Sequence, residues 1–67
     1  MEAKMEELLV QLARENAAID SHMLAYPEAY KDDKLHIDRM RLIDYREETL
    51  REVSRYATRF AAAIGKL

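Results

Sequence analysis

Tyr26-Pro27-Glu28-Ala29-Tyr30-Lys31-Asp32-Asp33-Lys34, residues 26–34, holds the one proline of the chain. The pyrrolidine ring pushes the preceding residue out of the α region, so a helix arriving from the N-terminal side ends at about Tyr26. Pro27 to Lys34 then reads as a connection. Asp32 or Asp33 can accept from free backbone amides and start a second helix.

Upstream, Met5, Leu12, Ile19 and Tyr26 recur every seven residues, and Leu9, Asn16, Met23 and Tyr30 form a second series. The series interleave at steps of three and four, which places both on one helical stripe, with Leu8 beside it. In heptad terms Leu9, Asn16 and Met23 are a positions; Met5, Leu12 and Ile19 are d positions. Glu2, Glu6 and Glu7 suit the positive end of the helix dipole. Downstream, Ile43, Leu50, Ala57 and Ile64 recur at seven, with Val53, Phe60 and Leu67 three residues out of phase. Leu35 and Leu42 extend that face. Arg55, Arg59 and Lys66 suit the negative end of the dipole, and Gly65 is placed to end the helix in a left-handed conformation.

The two heptad phases do not join. Continuing the first seam places Ile37 and Met40 inside, but then also Asp44 and Glu47. One long helix kinked at Pro27 would need a local rearrangement, whereas a hairpin tolerates the break. The expectation is a single all-α domain, residues 1–67. Its helices, at about 3–26 and 34–64, form an antiparallel hairpin.

The chain has 67 residues, no cysteine and a formal net charge of -2. Chains this short bury only about 60% of the surface of their unfolded form, so their own core is marginal. Disulfides are excluded, which leaves association as the route to stability. Both stripes are wide, because Leu8, Leu42 and Phe60 flank the narrow seams, and wide stripes belong to bundles of more than two helices. A homodimeric four-helix bundle is therefore expected, or a complex with a heteromeric helical partner. The core and dimerisation set is Met5, Leu8, Leu9, Leu12, Ile19, Met23, Leu35, Leu42, Ile43, Leu50, Val53, Ala57, Phe60 and Ile64.

Composition narrows function mainly by exclusion. No apolar run approaches the roughly 18 residues of a membrane span, and Met1-Glu2-Ala3-Lys4 opens no signal-peptide core. A cytoplasmic setting is expected, which the lack of cysteine suits. The run from Met1 to just beyond Gly65 reads as a complete short chain rather than an excised fragment. No catalytic residue set, cofactor site, metal site or small-molecule substrate is expected. Asp33-x-x-His36 occurs once, near the loop, and His22, Asp20 and Asp38 add no di-metal pattern. An enzyme is disfavoured because no nucleophile–base pair is apparent and two helices enclose little volume.

Polar residues interrupt the stripes. Asn16 in an a position can select register and partner number, or else lie hydrated at an edge. Arg39 and Arg46 fall within the second stripe. With a turn near residues 29–33, Arg46 is level with Asn16 and near Glu15, and Arg39 is near His22. Glu15, Asn16 and Arg46 are thus expected to form a polar layer, unless the arginines extend their heads to water. Tyr45 and Tyr56, on the far side of the second helix, and the basic strip of Arg51, Arg55 and Arg59 make a possible partner surface. The arginine strip could meet nucleic acid, but Glu47, Glu48 and Glu52 lie within a turn, so a solvated face is the stronger reading. A non-enzymatic helical interaction module is expected: an adaptor, small chaperone or regulator. In length and hairpin plan the chain is similar to plasmid-encoded RNA-binding helical hairpins and to small secretion chaperones, a likeness of architecture without a shared motif.

Overall fold

The computed structural model describes residues 3–65 and shows an antiparallel helical hairpin. Helix α1 spans Ala3–Ala25 and helix α2 spans Asp33–Gly65, with a 3-10 turn at Ala29–Lys31 between them. Glu2, Lys66 and Leu67, assigned above from their positions, lie outside the described residues.

Proline ends α1 as its chemistry requires. Ala25 is the last helical residue, and Tyr26 N–H still donates to the His22 carbonyl at 2.8 Å. In the turn, Lys31 pairs with Glu28 at 3.1 Å and lies over the Tyr30 ring. Ala29 is buried beneath it. Asp32 has extended backbone and restarts the chain: its Oδ1 accepts from Leu35 N–H at 3.1 Å, and its carbonyl accepts from His36 N–H. This is an N-cap, and it fixes the start of α2. Asp32→Ala should lower stability by about 1 kcal/mol, read from the urea midpoint; Asp33→Ala should cost less, because Asp33 is already inside the helix.

The seam follows 3–4 spacing. Met5, Leu8, Leu12, Glu15, Ile19 and His22 of α1 are buried or half-buried, as are Leu35, Arg39, Leu42, Arg46, Thr49, Val53 and Tyr56 of α2. This seam is rotated from the expected one. Leu8, Glu15 and His22 occupy the positions assigned above to Leu9, Asn16 and Met23, which are exposed. The stripe is wide enough to offer two rows, and a single neighbouring helix covers only one of them.

Gly65 also departs from expectation. It remains helical with no positive φ. Nothing lies within 4 Å of where its Cβ would be, so a side chain would fit there.

The resulting core is small. Among the described residues only Leu8, Ile19 and Ala29 are buried apolar side chains. At about 1.5–3 kcal/mol for each large one, they offset little of the ordering entropy. The molecule is a rod of 53 × 16 × 13 Å with a radius of gyration of 15.7 Å. A compact chain of this length would have about 11 Å. No described helix is long and apolar enough to cross a membrane.

Candidate interaction face

Each helical residue advances by about 100° around the axis. Leu9, Asn16 and Met23 therefore lie one step round from the seam residues Leu8, Glu15 and His22. On α2, Ile43 and Leu50 lie one step round from Leu42 and Thr49. Because the helices are antiparallel, both shifts turn toward the same side of the hairpin. Leu9, Met23, Ile43 and Leu50 thus share one face, continued along α2 by Ala57 and Ile64. Leu9 is 38% exposed, Met23 50% and Leu50 38%, while Ile43 is half-buried.

The expected core set divides accordingly. Leu8 and Ile19 are buried; Met5, Leu12, Leu35, Leu42, Ile43 and Val53 are half-buried. Leu9, Met23, Leu50, Ala57, Phe60 and Ile64 are exposed in the single hairpin.

Polar residues cross the seam at three levels. Near the loop, Arg39 Nε–H donates to His22 Nδ1 at 2.7 Å, and Nη2 donates to the Tyr26 carbonyl at 2.8 Å. The His22 and Tyr26 rings lie 5.0 Å apart and tilted. Midway, Arg46 Nη1 donates to Asn16 Oδ1 at 3.4 Å, a long bond on the apolar face. Nearer the α1 N-terminus, Gln11 Nε2 donates to Thr49 Oγ1 at 3.1 Å on the opposite face. Thr49 is 3% exposed and donates in turn to the Tyr45 carbonyl, so its hydroxyl is satisfied.

The expected polar layer is therefore split. Asn16 and Arg46 meet, but Glu15 turns to the other side, where Oε2 accepts from Gln11 at 3.5 Å. Glu15 Oε1, Arg46 Nε and His22 Nε2 are shielded from water with no partner among the described residues. Sequence reasoning missed Gln11 and Thr49. The signal was present, since Arg46, Thr49, Val53 and Tyr56 follow a 3–4–3 spacing, but Thr49 lies among charged residues and does not read as buried.

The proposed outer surface is also only partly gathered. Tyr45 is exposed, whereas Tyr56, expected on the far side of α2, is half-buried at the seam. The wider seam reaches it, and Arg59 stacks over its ring at 5.9 Å. Arg51, Arg55 and Arg59 are exposed. Glu48 and Glu52 share a shallow groove with Arg51 and Arg55, a mixed-sign strip poorly matched to phosphates.

Among the described residues no group of three or more His, Asp or Glu side chains converges as metal ligands would. No family model, curated protein or solved structure matches the chain.

Proposed function

We propose that the chain is a non-enzymatic helical interaction module, an adaptor, small chaperone or regulator, whose apolar face docks other helices. The simplest occupant is a second copy, completing a four-helix bundle; a helical protein of different sequence meets the same physical need. The carrying observation is surface. The hairpin exposes 5386 Å², against about 4,400 Å² for a compact monomer of its mass. That excess, about 1,000 Å² per chain, is comparable to the roughly 800 Å² each partner contributes to a standard interface. The shallow, open surface grooves support a binding rather than a catalytic role. The cytoplasm is the proposed setting, in keeping with a cysteine-free sequence.

Light scattering across a concentration series tests this reading, alongside helical circular dichroism. A helical dimer near twice 7.9 kDa is expected. Leu9→Glu and Leu50→Glu should weaken association by two or more orders of magnitude, because each introduces an unpaired carboxylate into an interface. A fully helical monomer at all concentrations overturns the reading. A poorly helical monomer points to a partner of different sequence.

A further inference from the structure

The middle of the apolar face is polar. Asn16 and Arg46 meet there across the seam. Glu47 follows Arg46 by one step round the helix, which carries its exposed carboxylate to the rim of the same face. The Asn16 carbonyl oxygen is used by Arg46, while its two N–H hydrogens have no partner among the described residues. Asn16 is exposed, so water serves those donors in the single hairpin; once the face is covered they need an acceptor from its occupant.

A second copy can supply it in one arrangement and not the other. With the two-fold axis along the helices, both loops lie at the same end and α1 packs on α2 of the second copy. Asn16 then comes level with Glu47 of the second copy. With the axis across the helices, α1 meets α1 and α2 meets α2. Asn16 can then bond to its own mate, but Glu47 is set against Glu47, like charge on like. The wider charge pattern agrees. In α1, Glu6, Glu7, Glu15 and Asp20 outnumber Lys4 and Arg14, whereas in α2 seven Lys and Arg side chains stand against six Asp and Glu. The first arrangement sets the acidic α1 against the slightly basic α2; the second stacks acidic α1 on acidic α1.

We propose that a second copy of this chain occupies the apolar face with both loops at the same end, and that the Asn16 amide donates to Glu47 across the interface. This rests on the reading of the face as a docking surface.

The chain has no cysteine, so introduced thiols report geometry without interference. Single variants Leu9→Cys, Met23→Cys and Ser54→Cys are mixed pairwise in a glutathione redox buffer, and mixed disulfides are quantified by mass spectrometry. Same-end packing brings residue 9 to residue 54 of the second copy; opposite-end packing brings residue 9 to residue 23. The 9–54 product is expected to dominate. Glu47→Lys, without added thiols, should raise the dimer dissociation constant about tenfold or more. Dominant 9–23 product, or unchanged association of Glu47→Lys, overturns the arrangement while leaving the docking surface standing. A helical monomer throughout the concentration series overturns both.

Discussion

Leu8→Ala is expected to destabilise the folded chain by about 2–4 kcal/mol. Leu8 is the largest fully buried side chain, 2% exposed. It lies on the seam at the level of Val53, where one helix faces another and few atoms can move in to fill a gap. Truncation removes transfer energy and leaves a cavity, and a fold with so small an apolar core has little reserve to absorb both. Urea unfolding followed by circular dichroism measures the effect at fixed protomer concentration, since association shifts the midpoint. Val10→Ala is the control: Val10 is exposed on α1 away from the seam, and a change within about 0.5 kcal/mol is expected. Equal effects at the two sites would mean that Leu8 is not in a packed seam.

Arg39→Ala should cost about 2–3 kcal/mol, unusually much for an arginine. Its guanidinium acts as a clasp. One edge donates to His22 Nδ1 and another to the Tyr26 carbonyl, with a longer contact to the His22 carbonyl at 3.4 Å. The His22 carbonyl also accepts from Tyr26 N–H and the Tyr26 carbonyl from Ala29 N–H, so the guanidinium ties α2 to backbone that already closes the end of α1. Removing Arg39 cuts this tie and leaves both His22 ring nitrogens without a partner. Arg39→Lys should recover little, because an ammonium cannot span the ring nitrogen and the carbonyl as the planar fork does. Arg41→Ala, at an exposed position in the same helix, should change stability by less than about 0.5 kcal/mol. Full recovery by lysine would show that only the charge matters.

What the sequence made legible follows from local chemistry. Pro27 must break a helix, Asp32 is a good cap, and the phase break between Met23 and Ile43 favours a reversal over a continuous rod. The helix ends follow within a residue or so. The choice of seam was not legible, because it is set by the neighbour rather than by the helix. Leu8 and Leu9 adjoin, and hydrophobic spacing alone weights the row of Leu9, Asn16 and Met23 above the row of Leu8, Glu15 and His22. In the second row His22 accepts from Arg39 across the seam, whereas Glu15 gains a 3.5 Å bond within α1 and keeps one oxygen unpaired. Such pairing depends on which residues of α2 come level, and no periodicity within α1 encodes that. Tyr56 was misplaced, and Thr49 passed over, for the same reason.

The clasp beside the loop also bears on how the chain can reach this shape. Joining His22 to Arg39 closes 17 residues, whereas joining Gln11 to Thr49 first would close 38. By chain statistics the shorter closure is favoured by about 0.7 kcal/mol. Once it is made, each further layer along the rod adds only three or four residues on either side. The hairpin can thus close like a zip, from Arg39 outward, with its most buried leucine among the last teeth to engage.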